Sequence, residues 1–322
     1  MSRPLISVPI PSYNHEDYID DCIDSLLSQT YTNAEIIFND DASTDRTWDK
    51  ILARKSELEK KFVRVIIHRN ENNGGITKSL NYMIDQCHGD IYKSIASDDM
   101  LDPKCFENIV DYFDGHPDID FVLSSGFMVS SNAKFPPIML DERLFAVPPY
   151  KDGEIVFDKL YHGPFASVGM AFKMKLFDRY GKYDETITID DWELMLRFAS
   201  NGVKFGFISN PLFYYRQSPG SITSLADNDK LEQRRLFIYS GEEAILNKYR
   251  DSAGERLYHQ ELYIRTMSNY KIAYNKKLSN MLNLTYRKLM DYKIWGIKVI
   301  YIFLYIKVYK VYRKIKYKQN IY

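Results

Sequence analysis

Four short polar clusters carry the side chains of this sequence that could take part in chemistry. They are Pro11-Ser-Tyr-Asn14, Asn39-Asp-Asp-Ala-Ser-Thr-Asp45, Ser97-Asp-Asp99 and Asp190-Asp-Trp-Glu193. The first three directly follow runs of residues typical of β-strands, and the fourth opens a helical pattern. Ligands bind beyond the carboxyl ends of the strands in an open α/β sheet, so we expect these clusters to lie along one sheet edge.

The paired carboxylates of Asp98 and Asp99 indicate a cation site. Adjacent carboxylates repel each other unless a cation or a donor-rich ligand lies between them. Mg²⁺ and Mn²⁺ bind to one or two carboxylates and take their remaining ligands from water and a diphosphate. The alternative is structural, with this pair forming a turn and the cluster from Asp41 to Asp45 capping a helix. The recurrence of such clusters in one chain favours a ligand site.

The elements that must position these clusters alternate along the first two hundred residues. β-rich runs and amphipathic helical patterns follow one another, which is typical of a largely parallel sheet with helices on both faces. Apolar spacing predicts helices over Ile19 to Leu27, Leu80 to Cys87 and Pro103 to about Phe113. The predicted strands are Leu5 to Ile10, Glu35 to Asn39, Val63 to His68, Ile91 to Ala96, Phe121 to Ser125, Val168 to Phe172 and Lys204 to Ile208.

The rest of the chain departs from this alternation. From about Asn132 to Pro164, prolines and glycines interrupt the pattern over a stretch too long for a simple connection, which is typical of a functional segment. Proline-free helical patterns follow over Leu231 to Lys248 and Glu255 to Leu284. The three cysteines are widely separated within apolar patterns, so we expect neither a disulfide framework nor a zinc site, and a reducing cytosol fits.

The charges of this chain are unevenly distributed, although 43 basic and 43 acidic residues give a net charge of zero. Residues 286–322 contain ten Lys or Arg and one acid, so this tail carries +9 and residues 1–285 carry −9. The longest uncharged run of the tail has eight residues, against about 20 for a bilayer-spanning helix. We therefore do not expect the tail to span a membrane.

The tail is expected to be an amphipathic helix that lies on an anionic membrane surface. One side of a helical wheel carries Lys293, Lys307, Lys310, Lys314 and Lys318, opposite Ile, Leu, Phe and Trp, with tyrosines at the edges. Two alternatives remain, a helix packed on the protein itself or on a second subunit, and a nucleic-acid contact through Tyr and Lys. The aliphatic density from Ile300 to Ile306 argues against nucleic acid. The prediction is a cytoplasmic protein, peripheral on the inner face of the cell membrane.

The motifs, taken together, resemble those of family 2 glycosyltransferases. Five segments occur in that family's order and approximate spacing over residues 4–225: Val8 to Asn14, Asp40 to Asp45, Asn73 to Asn81, Ser97 to Asp99 and Asp190 to Leu194. The resemblance implies a GT-A fold, a Rossmann-like, mostly parallel sheet flanked by helices. It also implies an inverting enzyme that uses a nucleotide-diphosphate sugar.

The resemblance assigns the nucleotide contacts to the first three clusters and the glycine-containing motif. Asp41 would accept a hydrogen bond from the N3–H of uracil or thymine, which favours UDP or dTDP, and Asp98 would contact the ribose. Asp99 would bind Mg²⁺ or Mn²⁺ on the diphosphate. Lys78 either meets the diphosphate or is a solvated lysine at a helix start. The nucleotide-binding set is Pro11, Tyr13, Asn14, Asp41, Ser43, Lys78 and Asp98.

Asp191 corresponds to the catalytic base of the family. A single displacement at the anomeric carbon needs one base for the acceptor hydroxyl and one stabiliser for the departing diphosphate. Asp190 stands where the family usually has Glu. Trp192 and Glu193 either shape the acceptor pocket or belong to the core.

One departure from the family pattern concerns the metal. Where family members often carry Tyr-Arg-x-His, this chain reads Tyr215-Arg-Gln-Ser218, and serine is a poor ligand for a divalent ion. The metal would then be held by Asp99 and phosphate oxygens alone, which puts strict metal dependence in question. Arg216 either pairs with a phosphate or lies in a surface loop.

The sequence therefore predicts a catalytic domain over residues 1–225, a helical extension over 226–285 and a membrane-associating tail over 286–322. The predicted activity is transfer of a sugar to a hydroxyl of a lipid-linked or membrane-proximal glycan in cell-surface polysaccharide synthesis, for example of O-antigen. One alternative is a nucleotidyltransferase, which would need a Gly- and Lys/Arg-rich loop after the first strand. The other is a degenerate sugar-nucleotide sensor or assembly subunit, which would be expected to lose Asp191 or Asp99.

Overall fold

A computed structural model describes residues 3–137, 143–145, 155–163, 165–218 and 230–294. The chain divides into two compact units, Met1–Ser224 and Leu225–Tyr322. Most of the predicted tail, from residue 295 onward, lies outside the described residues, as does much of the proline- and glycine-rich segment between 138 and 154.

The first unit is built on one mixed sheet. Among the described residues it has nine strands in the order β3-β2-β1-β4-β8-β6-β9-β5, with β7 paired to β6. The strands are β1 Ile6–Ser12, β2 Ala34–Asp40, β3 Arg64–Arg69, β4 Ile91–Tyr92, β5 Met100–Leu101, β6 Phe121–Ser130, β7 Arg143–Phe145, β8 Met170–Lys173 and β9 Phe205–Gln217.

Helices connect these strands. The helices of this unit are α1 Ile19–Leu27, α2 Thr47–Ala53, α3 Lys55–Lys61, α4 Ile76–Asp85, α5 Cys105–Gly115, α6 Phe157–Tyr161, α7 Lys175–Tyr180 and α8 Asp190–Ser200, with a 3₁₀ turn over Ser167–Gly169. The apolar stripe predicted for α1 is buried in the same core cluster as the apolar residues of β1 and β2, and Cys22 lies within it, so this cysteine is a core residue. The α/β prediction is confirmed.

The sheet is less parallel than predicted. β1 pairs in parallel with β2 and β4, and β6 pairs in parallel with β9, but β8 runs antiparallel between β4 and β6. Because β8 reverses direction between them, β6 and β9 end at the same edge of the sheet as β1. That edge therefore collects the carboxyl ends of β1, β2, β6 and β9.

β4 is shorter than the predicted strand over Ile91 to Ala96. The chain nevertheless continues along β1 beyond Tyr92, since the N–H groups of Lys93 and Ile95 donate to the carbonyls of Ser7 and Pro9 at 3.0 and 3.2 Å. This extended segment carries the chain to the Asp98-Asp99 pair at the carboxyl edge.

The second unit contains three helices among its described residues, α9 Leu231–Lys248, α10 Arg250–Lys276 and α11 Ser279–Ile294. The helix predicted over Leu231 to Lys248 has the observed bounds. The single helix predicted over Glu255 to Leu284 is interrupted, because Lys277 has a positive φ of 57° and reverses the chain between α10 and α11.

Polar contacts hold these three helices together. Asn269 of α10 donates to Glu242 of α9 at 3.0 Å, and the hydroxyls of Tyr239 and Thr266 lie 2.8 Å apart. Met281 of α11 is buried against this pair of helices. Of the helices in the described part of the chain, none combines the length and hydropathy needed to span a bilayer.

Candidate functional site

The loops after β1 and β2 are joined at the carboxyl edge of the sheet. The N–H of Asp41 donates to the carbonyl of Ser12 at 2.8 Å. The N–H of Asn14 donates to the hydroxyl of Ser43 at 3.0 Å, and the side-chain oxygen of Asn14 accepts from the N–H of Thr44 at 2.9 Å. Asn14 and Ser43 therefore lock two loops to each other, while the ring of Tyr13 is 43% exposed beside them.

Asp41 anchors the glycine-containing motif. Its buried carboxylate accepts hydrogen bonds of 2.8 Å from the side chain of Asn70 and from the N–H groups of Gly74 and Gly75. Gly75 has a φ of 88°, a conformation that disfavours residues with a Cβ. A carboxylate offers about four acceptor positions, so one position on Asp41 remains for a ligand donor. Lys78 is exposed on the first turn of α4, a position that both of its predicted roles allow.

Asp98 and Asp99 form a turn in which the two carboxylates have different surroundings. Asp99 is buried, and its Oδ1 accepts from the N–H of Arg216 at 2.8 Å. Asp98 is more exposed, and its Oδ2 accepts from the hydroxyl of Ser218 at 3.1 Å. Burial and then the charge of Asp98 raise the pKa of Asp99 well above the usual range of an aspartate.

This pair fits a divalent cation that is bound together with a substrate diphosphate. A cation would offset the repulsion that raises the pKa of Asp99. Among the residues that the structure describes, no group of three or more His, Cys, Asp or Glu side chains is gathered to hold a metal by itself. An ion at Asp98 and Asp99 would take its remaining ligands from phosphate oxygens and water, as Mg²⁺ usually does.

Arg216 is buried beneath the acidic turn, and its guanidinium is saturated by protein acceptors. Nε donates to the carbonyl of Asp98 at 2.7 Å. One terminal nitrogen donates to the carbonyls of Ser131 and Ala133, and the other contacts the carboxylate of Asp21 at 3.2 Å. Arg216 is thus neither the surface-loop arginine nor the phosphate-binding arginine that the sequence indicated. Instead, it positions the turn that carries Asp98.

Asp21 extends this network to the segment after β6. Besides Arg216, the carboxylate of Asp21 accepts from the N–H of Phe135 at 3.0 Å and contacts the ammonium of Lys134 at 3.4 Å. One buried carboxylate on α1 therefore connects the acidic turn with the start of the proline- and glycine-rich segment.

α8 begins with Asp190 and with Asp191, the residue that the family pattern assigns to catalysis. Asp190 and Asp191 are half-buried in its first turn, where the helix dipole favours negative charge. The Oδ1 of Asp191 accepts from the N–H of Trp192 at 2.7 Å, which fixes the side chain. Burial raises the pKa of Asp190, and burial together with the charge of Asp190 raises the pKa of Asp191.

Trp192 and Glu193 lie in the core instead of in an acceptor pocket. Both side chains are fully buried. The indole N–H of Trp192 donates to the carbonyl of Leu160 at 2.7 Å, and Glu193 pairs with Arg197 at 2.9 Å. These contacts anchor α8, so the two residues affect the site by fixing the helix that carries Asp191.

Asn81 is a residue to which the sequence assigned no role, although it ends one of the quoted motifs. Its side-chain amide donates to the carbonyl of Tyr183 at 3.0 Å and accepts from the N–H of Tyr183 at 3.1 Å. The hydroxyl of Tyr183 lies 3.3 Å from that of Tyr92 at the end of β4. These contacts tie the segment before α8 to α4 and to the sheet, and they place α8 relative to the acidic turn.

One cavity among the described residues lies away from these clusters. It has a volume of about 580 Å³ and is lined by α7 and by residues that precede β6 and β9, including Asp118, Asp120 and Lys204. These strands run parallel to β1, so the cavity is at the amino-terminal edge of the sheet, opposite the predicted site.

The Arg216→Gln substitution should destabilise the protein strongly. Removing one partner of a buried ion pair typically costs about 3–5 kcal/mol. In a chain of this size we therefore expect Tm to fall by roughly 6 °C or more in a thermal melt. Lys134→Gln is the matched control, because its ammonium contacts the same carboxylate but the side chain is 71% exposed. It should change stability by about 0.5 kcal/mol or less. Equal melting temperatures for the two variants would contradict the role of Arg216.

Comparisons with known proteins show which family this sequence resembles. The model of glycosyl transferase family 2 matches residues 7–181, and that of glycosyl transferase family group 2 matches residues 95–309. The chain is 25% identical over 255 residues to the uncharacterized glycosyltransferase EpsJ of Bacillus subtilis, which covers 76% of this chain and 71% of EpsJ.

Solved structures share the fold. S. aureus TarS, solved in complex with UDP, matches with a TM-score of 0.58 and 19% identity over 83% of this chain and 72% of that one. The mannosyltransferase PcManGT of Pyrobaculum calidifontis, solved with GDP-Man and Mn²⁺, matches with a TM-score of 0.57 and 17% identity over 97% and 83%. The GT-A fold predicted from the sequence is confirmed.

The family 2 model extends from β1 through α7, over more than half of the chain, and includes the loops of Asp41, Gly75 and the Asp98-Asp99 turn. The chain therefore belongs to glycosyl transferase family 2, and it is a glycosyltransferase.

Proposed function

We propose that this enzyme inverts the anomeric centre as it transfers a sugar from a nucleotide-diphosphate donor to a hydroxyl of a lipid-linked or membrane-proximal glycan. The observation that carries this proposal is the collection of fixed polar groups at the carboxyl edge of the sheet. Asp41 is held by the glycine-containing loop, and the Asp98-Asp99 turn is held by Arg216. Such preorganised groups can bind a charged donor with little rearrangement.

A uracil or thymine base fits the pocket around Asp41. The carboxylate of Asp41 has one acceptor position left after its three protein hydrogen bonds, and the N3–H of either base is a donor of matching type. The half-exposed ring of Tyr13 offers a surface on which a base can stack. UDP and dTDP sugars are therefore the proposed donors.

Asp98 and Asp99 are proposed to bind the ribose and a Mg²⁺ or Mn²⁺ ion on the diphosphate. The ion would stabilise the charge that develops on the departing diphosphate. Lys78, with its exposed ammonium on α4, is a further candidate for contact with that diphosphate. The repulsion between the two carboxylates supports a cation at this position, since it raises the pKa of the buried Asp99.

Asp191 is proposed to act as the general base. The acceptor hydroxyl would give its proton to the Asp191 carboxylate as its oxygen bonds to the anomeric carbon, opposite the diphosphate. The bond from that carbon to the phosphate oxygen breaks, and its electron pair leaves with the diphosphate. The raised pKa makes Asp191 a stronger base than an ordinary aspartate.

The acceptor is proposed to be presented at a membrane, to which residues 286–322 would bind. The support is the sequence of this tail, with its +9 charge and aromatic-aliphatic face. α11 runs through the predicted start of the tail, and Lys288 on it contacts Glu243 of α9. Lys288 is therefore engaged within the helical unit, and membrane binding would depend on the residues beyond α11. O-antigen or a related cell-surface polysaccharide is the proposed class of product.

The substitution Asp191→Asn tests the catalytic assignment. It should reduce turnover by about two orders of magnitude or more, because the amide cannot accept the acceptor's proton. The affinity for UDP or dTDP with Mn²⁺, measured by thermal shift, should stay nearly unchanged. Asp118→Asn, at the opposite edge of the sheet and paired with Lys204, is the control and should keep full turnover. An active Asp191→Asn enzyme would refute the assignment.

The pH profile gives a second test of the same base. Only the ionised Asp191 can accept a proton, so kcat/KM should fall as the pH is lowered through its pKa. This acid limb should lie well above the pKa of about 3.9 of a free aspartate. Because the charge of Asp190 helps to raise the pKa of Asp191, Asp190→Asn should move the limb to lower pH. A limb that stays in place or moves to higher pH would contradict this coupling.

Membrane binding can be measured by flotation with phosphatidylglycerol-containing vesicles. The full chain should float with the vesicles, and a chain shortened to end at Ile294, which keeps α9 to α11, should not. Neutral phosphatidylcholine vesicles are the control, and binding of the full chain to them should be much weaker. Equal flotation of the two chains would show that the residues beyond Ile294 are not needed for membrane binding.

A further inference from the structure

His15 lies beside the acidic turn, although the site assignments give it no function. It follows Asn14 in the loop after β1, and its N–H donates to the hydroxyl of Thr47 at 2.8 Å. Its Nδ1 lies 2.7 Å from the hydroxyl of the buried Ser97. Its Nε2 lies 3.9 Å from the Oδ2 of Asp98, and the side chain is 26% exposed. The imidazole is thus fixed on one side, while its second nitrogen faces the carboxylate that is proposed to bind the ribose.

The loop that carries His15 is held in one conformation by the residue before it. Asn14 has a positive φ of 54°, which asparagine adopts more readily than most residues. Its N–H and its side-chain oxygen are bonded to Ser43 and Thr44 in the loop after β2. Tyr13, on the other side of Asn14, offers the proposed stacking surface for the base. One short loop therefore borders both the base pocket and the acidic turn, and the ribose of a nucleotide lies between its base and its phosphates.

The surroundings of the imidazole indicate which ring nitrogen carries a proton. A carboxylate that faces Nε2 repels a lone pair on that nitrogen and attracts an N–H group. The hydroxyl of Ser97 can donate to Nδ1 as well as accept from it, so it is compatible with this arrangement. The Nε2 of His15 is therefore a hydrogen-bond donor on the side of Asp98.

The gap between Nε2 and Asp98 has the size of one bridging oxygen. A separation of 3.9 Å is too long for a direct hydrogen bond. An oxygen about 2.8 Å from each of two partners, by contrast, holds those partners roughly 4 Å apart. A hydroxyl in this position would accept from Nε2–H and donate to the carboxylate, because a hydroxyl has both functions. The pair formed by His15 and Asp98 is therefore complementary to a hydroxyl.

We propose that His15 binds the ribose of the donor nucleotide, through a hydrogen bond from its Nε2–H to the same hydroxyl that donates to Asp98. This inference rests on the proposed function, and it adds a residue from the loop after β1 to the ribose contact. A site that hydrogen-bonds a hydroxyl discriminates against an analogue without it, because the polar groups of the site are then left unpaired. His15 should therefore contribute to nucleotide affinity only when that hydroxyl is present.

The test is isothermal titration calorimetry of the full-length protein with UDP, 2′-deoxy-UDP and 3′-deoxy-UDP, each with Mn²⁺. His15→Asn places a polar atom as many bonds from the backbone as Nδ1 and none at the position of Nε2. It can therefore keep the contact with Ser97, and it should weaken UDP binding about fivefold. His15→Gln places an amide nitrogen as many bonds from the backbone as Nε2 and should restore most of the affinity.

The decisive comparison combines the variant with the analogues. One of the two deoxy analogues should bind to the wild-type protein more weakly than UDP. His15→Asn should bind that analogue as tightly as the wild-type protein does, since the shared hydroxyl is already missing. The other analogue should lose affinity in the variant about as UDP does. His88→Asn is the matched control, because its side chain is 66% exposed at the opposite edge of the sheet, and it should bind UDP like the wild-type protein.

The outcomes separate this inference from the proposed function. A wild-type protein that binds UDP no more tightly than His15→Asn does overturns the role of His15 and leaves the donor site in place. Equal losses for UDP and both analogues overturn it as well, since they would show an effect on the loop and not a ribose contact. If only dTDP binds, dTDP and its 3′-deoxy analogue replace the UDP series. If neither UDP nor dTDP binds, both the ribose contact and the proposed donor site are wrong.

Discussion

The rest of the site depends on the contacts that the guanidinium of Arg216 makes. It lies under an acidic turn, and it is hydrogen-bonded to the carbonyl of Asp98 and to the carboxylate of Asp21. Three carboxylates, those of Asp21, Asp98 and Asp99, would otherwise repel one another in a poorly solvated region. A buried cation with a rigid planar fork satisfies several acceptors at once, which a lysine could not do. The acidic turn is therefore held in place before any ligand binds.

The polar clusters at the sheet edge combine two roles that the sequence presented as alternatives. Asn14, Ser43 and most of the acceptor capacity of Asp41 are used to lock loops to one another. The more exposed groups at the same edge, the ring of Tyr13 and the carboxylate of Asp98, remain available for a ligand. Structural contacts and ligand-binding groups thus coexist in one cluster. The hydrogen bonds between the loops orient the groups that remain available for a ligand.

The elements with strong local patterns could be predicted from the sequence. The apolar residues of α1, α4 and α5 recur at helical spacing, and the parallel strands β1 to β3 are rich in apolar residues. α9 was predicted from its proline-free, Leu-, Glu- and Lys-containing composition. β8 was predicted over Val168 to Phe172, but its antiparallel direction and the short strands β5 and β7 could not be predicted in this way. Their pairing depends on distant partners and not on their own residues. The break between α10 and α11 was missed because Lys277 adopts a positive φ without a glycine.

The candidate site was predictable in its residue types but not in their contacts. The clusters containing Asp41, Asp98 and Asp191 stand out by composition and order. The contact between Arg216 and Asp21 spans 195 residues, and no spacing rule connects two such positions. The same limit applies to Asn81 with Tyr183. Trp192 shows the reverse case, since the sequence could not decide whether an aromatic residue next to the predicted base Asp191 lines a pocket or belongs to the core.

The most direct test of a single displacement is the configuration of the first product. The enzyme would be given an α-linked UDP or dTDP sugar with Mn²⁺, with water as the acceptor. Proton nuclear magnetic resonance would then follow the released sugar before its anomers equilibrate. Attack from the face opposite the diphosphate predicts that the β-anomer appears first. Initial release of the α-anomer would contradict the account.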